Sequence, residues 1–300
     1  MLLFTDWAGV AQQVVAGLSS GGTYATLAVA LVLIYRATGV VNFAQGELAM
    51  FSTFVAWTLT QHGLSYWPAF LVTVVGSFAG GIVLERTVIR PVERAPVLTI
   101  AIVTIGLFFV VNGAAFWIWS AQVKSMPSAF STRPIHVGGV AFSIADLGTI
   151  GVSLLAVLLL WLFFRFTKIG LAMRAAAVNP DSSRLTGIRV SWTIALGWGL
   201  AAALGAVAGL MAAPPLGSFD QNFMQPVLLY AFAGAVLGGI DSALGAVVGS
   251  LALGVFLNLL GTYVSWVGTD LRQPAALAVI LGVLLLRPAG LFGTAAVRRA

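Results

Sequence analysis

The sequence has few of the residues on which soluble enzymes depend. Among its 300 residues there is no cysteine, there are two histidines, and 8% of the residues are charged. Ordinary soluble domains carry roughly 25% charged residues, so the composition argues against a water-soluble enzyme. Without cysteine, disulfide bonds, thiolate nucleophiles and cysteine-ligated metals are excluded.

Common catalytic motifs are also missing. The two lysines, Lys124 and Lys168, do not follow a glycine, so no P-loop can bind nucleotide phosphates. His62 and His136 lie far apart without zinc-binding spacing, and no predicted span contains a histidine that could activate a serine. We therefore expect no catalytic site, no metal and no cofactor.

Apolar residues dominate what remains. They make up 60% of the chain, and the mean hydropathy is +1.02. A helix needs about 20 mostly apolar residues to cross a bilayer, and runs of this kind, with polar stretches between them, are found along the chain. We predict an all-α polytopic membrane protein with about 8–9 transmembrane helices, some broken or re-entrant at glycines, in one domain over 1–300. The runs are 10–34, 39–61, 66–84, 97–119, 144–164, 191–213, 226–262 (read as two passes) and 274–286.

The basic residues predict the orientation, because cytoplasmic loops retain lysine and arginine. The first seven residues contain none, so we expect no cleavable signal peptide. With the N-terminus outside and the C-terminus inside, Lys124, Arg133 and Arg272 face outward and the other twelve face the cytoplasm. This distribution accounts for the net charge of +6 without a nucleic-acid partner. The twelve are Arg36, Arg86, Arg90, Arg94, Arg165, Lys168, Arg174, Arg184, Arg189, Arg287, Arg298 and Arg299.

Polar residues within the apolar runs are candidate functional groups, because they are costly in a membrane. Asn42, Gln45 and Glu47 accompany Gly46 and indicate a broken helix, which either lines a transport path or caps and cross-links helices near the cytoplasmic end. Asn112 and Asn258 are typical of hydrogen bonds between helices.

Other features of the runs have structural explanations. Asp146 opens a span and is expected to stabilise its N-terminus, whereas Asp241 follows two glycines and is expected in a turn. Glu47, Asp146 and Asp241 are all expected near span ends. Recurring glycines are expected to let helices approach closely, and examples are Gly76, Gly80, Gly81, Gly245 and Gly249.

The polar stretch 165–190 predicts a helical hairpin outside the membrane. Residues 170–178 are strong helix formers, Asn179-Pro180 ends that helix, and Asp181 or Ser182 is expected to cap a second short helix ending near Gly187. Such a hairpin either docks into a groove on another protein or is a solvated connector.

An ordered set of motifs resembles the membrane permeases of branched-chain amino acid ABC transporters. The set extends from residue 17 to residue 293. Its members are GLSSGGTYA at 17–25, LIYRATGVVNFAQGE at 33–47, RP at 90–91, TIGL at 104–107, GLAMRA at 170–175, Asn179, GI at 187–188, AVLGGI at 235–240 and RPAGLFG at 287–293.

The resemblance implies an ABC importer permease fold and an ATP-driven importer in the bacterial inner membrane. Its partners would be two cytoplasmic ATPases, a second homologous permease and a periplasmic binding protein, while this chain would not hydrolyse ATP. The segment 165–190 would couple it to the ATPases. The coupling residues would be Gly170, Arg174, Asn179, Pro180 and Gly187, although Arg174 precedes the alanines where many ABC importers have a glutamate.

The expected mechanism is alternating access, with Asn42, Gln45, Glu47 and Asn112 as candidates to line the path. Leucine, isoleucine and valine are the expected substrates. Urea, short amides and other amino acids are alternatives within the same subfamily. An ion-coupled secondary carrier is a further alternative, although such a carrier would more naturally place several carboxylates at mid-membrane.

Overall fold

A computed structural model describes residues 7–93, 95–137, 139–264 and 271–293. The terminal residues and Arg94, Arg298 and Arg299, on which part of the predicted orientation depends, lie outside the described residues. The described elements are α1 (Trp7–Thr38), α2 (Gln45–Gln61), α3 (Tyr66–Leu84), α4 (Val97–Trp119), β1 (Pro134–Val137), β2 (Val140–Ser143), α5 (Ile144–Phe166), α6 (Lys168–Val178), α7 (Pro180–Leu185), α8 (Val190–Ala212), α9 (Met224–Gly238), α10 (Ala243–Tyr263) and α11 (Arg272–Leu286).

The expected all-α polytopic class is confirmed. Within the described residues, six helices are long and apolar enough to span a membrane, namely α1, α3 with its extension to Val92, α4, α5, α8 with its extension to Leu216, and α10. The apolar helices α9 and α11 have 15 residues each, which is about 22 Å at 1.5 Å per residue. Both are shorter than the roughly 30 Å hydrocarbon core, so the predicted number of 8–9 is approximate.

Helices α1 and α8 form the centre of the bundle. In each, 78% of the most apolar window is buried, against 17% for α3, α4 and α5. Small residues let neighbours approach α1, since a Cβ added to Gly17 would lie 2.6 Å from the Cα of Val255 in α10. The outer helices leave large apolar side chains exposed, as expected for surfaces in contact with lipid or a second subunit.

The predicted packing role of the glycines in α3 is correct at one position and wrong at two. A Cβ on Gly81 would lie 2.9 Å from the Cα of Gly199 in α8, whereas Gly76 and Gly80 have nothing within 4 Å of that position. Gly76 and Gly80 lie on the exposed side of α3, which the sequence pattern did not distinguish from the packed side.

The long apolar stretch 226–262 divides into α9 and α10, as its glycines predicted. Gly239 has a φ of +108° and Asp241 lies in the turn, while the Ser242 hydroxyl accepts the Gly245 N–H at 3.0 Å and caps α10. The expected close packing at Gly245 and Gly249 is confirmed, since a Cβ on Gly249 would lie 2.7 Å from the Gly238 nitrogen.

The two ends of the bundle differ in composition. At one end, which we call the β-hairpin end, β1 and β2 pair antiparallel from Pro134 opposite Ser143 to Val137 opposite Val140. At this end Lys124 and Phe219 also exchange two backbone hydrogen bonds of 2.9 and 2.8 Å. Helices α6 and α7 lie at the opposite end, which we call the arginine end because arginine side chains gather there.

Candidate functional site

The chain is broken between α1 and α2, as the cluster of polar residues predicted. Asn42 accepts the Ala44 N–H at 3.1 Å and donates to the Gln45 side chain at 3.2 Å, and Gln45 in turn donates to the Ala201 carbonyl of α8 at 2.9 Å. Both amide side chains are fully buried. They therefore satisfy the polar groups at the break and attach it to the central helix α8.

A carboxylate lies in the first turn of α2. Glu47 Oε2 accepts a hydrogen bond from Asn112 Nδ2 of α4 at 3.0 Å, and Oε1 accepts one from Gln225 Nε2 of α9 at 3.4 Å. Glu47 is 1% exposed, whereas Asn112 is half-buried and Gln225 is exposed. The carboxylate is therefore held at the base of a polar group whose other members are accessible.

Asn222 completes this group, which we call the amide–carboxylate cluster (Glu47, Asn112, Asn222 and Gln225). Its Oδ1 accepts from Gln225 Nε2 at 3.0 Å and from Asn112 Nδ2 at 3.4 Å. Of the path residues proposed from the sequence, the cluster includes Glu47 and Asn112, while Asn42 and Gln45 face the helix break. The sequence analysis missed Asn222 and Gln225, although the four polar residues among positions 220–225, immediately before an apolar run, were a usable signal.

Glu47 lies in the first turn of α2, so the expectation of a position near the end of a helix is correct, but this end of α2 lies inside the bundle. Its partner Asn112 is about 22 Å along α4 from Val97 and about 10 Å from Trp119, at 1.5 Å per residue. The non-helical residues 39–44 carry the chain back into the bundle before α2 begins, which places Glu47 within the apolar length of α4. The other two predictions are correct, since Asp146 forms a capping box with Ser143 at the start of α5 and Asp241 lies in a turn.

At the arginine end, α6 and α7 form the predicted helical hairpin. Gly170 packs on α5, since a Cβ there would lie 2.6 Å from the Phe164 Cα. Asn179, rather than Asp181 or Ser182, caps α7 by accepting the Ser182 N–H at 2.9 Å, and Pro180 occupies the first turn. Gly187 follows α7 with a φ of +85°. These residues therefore fix the shape of the segment.

The same hairpin exposes apolar side chains that sequence analysis did not single out. Val178 is 84% exposed and Leu185 is 90% exposed, and Ile169 and Leu171 are also exposed. The hairpin lies outside the apolar spans. Exposed apolar side chains of this kind are found at surfaces that interact with proteins or with membranes.

Comparison with known proteins identifies the family. The family model described as "Branched-chain amino acid transport system / permease component" matches residues 13–287. The chain belongs to this permease family. Similar proteins, all named high-affinity branched-chain amino acid transport system permease proteins, include LivH of Escherichia coli K12 (32% identity, 94% of this chain, 95% of that protein), LivH of Salmonella typhimurium (32%, 94%, 95%) and BraD of Pseudomonas aeruginosa (31%, 94%, 95%).

The amide–carboxylate cluster of this permease has the chemistry to interact with a zwitterion. The Glu47 carboxylate can accept hydrogen bonds from an ammonium group, and the amides of Asn222 and Gln225 can donate to a carboxylate or accept from an ammonium. The helix break next to it is of a kind found at transport sites, and irregular backbone at membrane depth occurs where it is buried in protein or lines a cavity.

Arg174, the remaining coupling residue proposed for the permease, occupies a different position. It is exposed and lines a cavity of about 1130 Å³ at the arginine end. Pro180 and Arg184 of α7 line the same cavity. The α6–α7 hairpin and this cavity are therefore contiguous.

Proposed function

We propose that this chain is a transmembrane permease subunit of an ATP-driven importer for branched-chain amino acids in the bacterial inner membrane. The proposed partners are two cytoplasmic ATPases, a second homologous permease and a periplasmic binding protein. Support comes from the family membership and from relatives named as branched-chain amino acid permeases over 94% of the chain.

The exposed apolar side chains of the α6–α7 hairpin are the observation that carries the proposal. Val178 is 84% exposed and Leu185 is 90% exposed, and both lie outside the apolar spans. A short helical hairpin with such side chains fits a groove on a partner. In this proposal the partner is an ATPase, and its motion reaches α5 and α8 through the two ends of the hairpin.

The orientation is part of the same proposal. Arg36, Arg90, Arg165 and Arg189 all line the cavity at the arginine end, and the positive-inside tendency assigns such an end to the cytoplasm. The N-terminus is then outside, the C-terminus is cytoplasmic, and the β-hairpin end faces the binding protein.

The amide–carboxylate cluster is the proposed site at which the substrate contacts the translocation path. In alternating access, motion at α6–α7 changes the side to which the path opens, and the amino acid passes the accessible amides of Asn222 and Gln225. Because the binding protein would provide recognition, the path needs only weak, transient contacts. This agrees with a cluster of amides around one carboxylate rather than a tight ligand cage.

The docking role is tested with Leu185→Ser in the chain purified from its native membrane in mild detergent. We expect recovery of P-loop ATPases with the unchanged chain and at least a tenfold lower recovery with Leu185→Ser. The matched control is Leu216→Ser, which removes an exposed leucine at the β-hairpin end and should leave ATPase recovery unchanged. Equal ATPase recovery with both variants would contradict the docking role of α6–α7.

The substrate is tested by uptake into proteoliposomes that contain the purified complex and supplied binding protein. Labelled leucine, isoleucine and valine should accumulate only with ATP present. Preferential uptake of urea would replace the substrate class while keeping the importer. Uptake by the isolated chain driven by an ion gradient would overturn the proposal in favour of a secondary carrier.

A further inference from the structure

The arginine end contains a large cavity that the proposed transport path does not use. It has a volume of about 1130 Å³ and is bounded by α1, α5, α8 and the start of α10, with α6 and α7 along its edge. This is at the upper end of the range for small-molecule pockets. The cavity is large enough for a ligand bigger than an amino acid.

Arginines from several elements converge on this cavity. Arg36 lies in the last turn of α1, Arg90 lies in the extension of α3, Arg165 lies in the last turn of α5, and Arg189 immediately precedes α8. All four therefore lie at the ends of spanning helices. Among the described residues, the arginines along the cavity are Arg36, Arg90, Arg165, Arg174, Arg184 and Arg189.

This positive charge is only partly balanced. Glu93 and Asp241 also line the cavity, so among the described lining residues two carboxylates face six arginines. The first turn of α8, at Val190 and Ser191, also faces the cavity and adds the positive end of a helix dipole. An anionic group is the complementary ligand.

The walls of the cavity are apolar and continue into the spanning helices. Val29 and Val32 of α1 line it together with Val157 and Leu160 of α5. At its rim Trp161 is 47% exposed, as expected where a side chain meets lipid rather than water. A free inorganic anion would contact the arginines but not these apolar walls.

We propose that this cavity binds an anionic phospholipid, with its phosphate among the arginines and an acyl chain along the apolar walls of α1 and α5. Basic pockets between spanning helices have this specificity. Since Arg174 and Arg184 belong to α6 and α7, the lipid would also join the coupling hairpin to the membrane helices. That last consequence rests on the proposed function, whereas lipid binding itself does not.

Native mass spectrometry of the detergent-purified permease, titrated with phosphatidylglycerol or phosphatidylcholine, tests the proposal. We expect retention of phosphatidylglycerol well above that of phosphatidylcholine. The interaction of one arginine with an anionic lipid surface is about fivefold in a binding constant, so Arg36→Gln with Arg165→Gln should weaken phosphatidylglycerol binding about 30-fold. The matched control is Arg133→Gln, which removes an exposed arginine at the β-hairpin end and should leave binding unchanged.

Gly197→Leu tests the apolar wall without changing any charge. Gly197 lines the cavity, and the one atom within 4 Å of a Cβ built there is the Met173 methyl at 3.8 Å, so a larger side chain extends into open space. We expect this variant to fold normally, as judged by its thermal unfolding, and to bind less phosphatidylglycerol.

Three outcomes would overturn the proposal. They are equal binding of the two lipids, unchanged phosphatidylglycerol binding in a folded double variant, and stabilisation of the permease against thermal unfolding by inorganic phosphate alone with no lipid retained. Because the measurement uses the permease without ATPases, its failure leaves the proposed importer intact. Conversely, failure of ATPase docking leaves a measured lipid site intact.

Discussion

Replacing Glu47 by glutamine changes the chemistry of the amide–carboxylate cluster while keeping its size. The carboxylate accepts from Asn112 at 3.0 Å and from Gln225 at 3.4 Å. A glutamine offers one acceptor and one NH₂ group. One of the two existing donors would then face another donor.

The contacts set the expected size of the effect. A hydrogen bond to a charged group contributes about 1.5–3 kcal/mol, and Glu47 is 1% exposed, so water does not replace the lost partner. Loss of one such bond corresponds to about a 10- to 100-fold change. We expect Glu47→Gln to lower the rate of ATP-driven leucine uptake by that factor.

Uptake into proteoliposomes measures the rate, and co-purification with the ATPases checks assembly. A second variant, Glu47→Gln with Asn112→Asp, places an acceptor opposite the new NH₂ group. If the local hydrogen bonds determine the rate, this pair should recover part of the uptake. If the position of the negative charge determines it, the pair should remain as slow as Glu47→Gln.

Unchanged uptake by Glu47→Gln in an intact complex would refute the reasoning, because the cluster would then neither line the path nor control it. A loss of uptake together with loss of the folded complex would show that Glu47 is needed for stability.

Two further predictions concern helix packing and are measured by thermal unfolding. Gly249→Ala should destabilise the protein by about 1–3 kcal/mol, because its Cβ would lie 2.7 Å from a backbone nitrogen of α9. The control, Gly76→Ala, places its Cβ in open space and should raise stability slightly. Equal effects of the two variants would contradict the packing of α10 against α9. Thr58→Val should cost about 1 kcal/mol, because its hydroxyl accepts Trp119 Nε1–H at 2.7 Å. Its control, Thr87→Val, removes a hydroxyl bonded within its own helix and should have little effect.

Much of the fold could be predicted from hydropathy because the outer helices are almost wholly apolar. The runs 66–84 and 97–119 coincide with α3 and α4, and charged or proline-containing stretches separate them. The β-hairpin at 134–143 was not predicted, since four-residue strands carry too little periodicity to stand out. Hydropathy also could not show which face of α3 is packed, because both faces are apolar.

The site was only half predictable. Asn112 and Asn258 were expected to form hydrogen bonds between helices, and both do, Asn258 with Gln13 of α1 at 2.8 Å. The partners Asn222 and Gln225 were missed because they are distant in sequence from Glu47, and their contact depends on how α9 packs against α2. The depth of Glu47 was misjudged for the same kind of reason, since hydropathy does not reveal that the chain re-enters the bundle before α2.

The backbone bridge between Lys124 and Phe219 bears on how the surface of this protein can change. Phe219 lies three residues before Asn222, so the bridge connects the surface around residues 120–137 to the amide–carboxylate cluster through main-chain atoms. Main-chain hydrogen bonds do not depend on side-chain identity. Side-chain mutations can therefore change this surface to suit a different partner while the main-chain hydrogen bonds to the interior are retained.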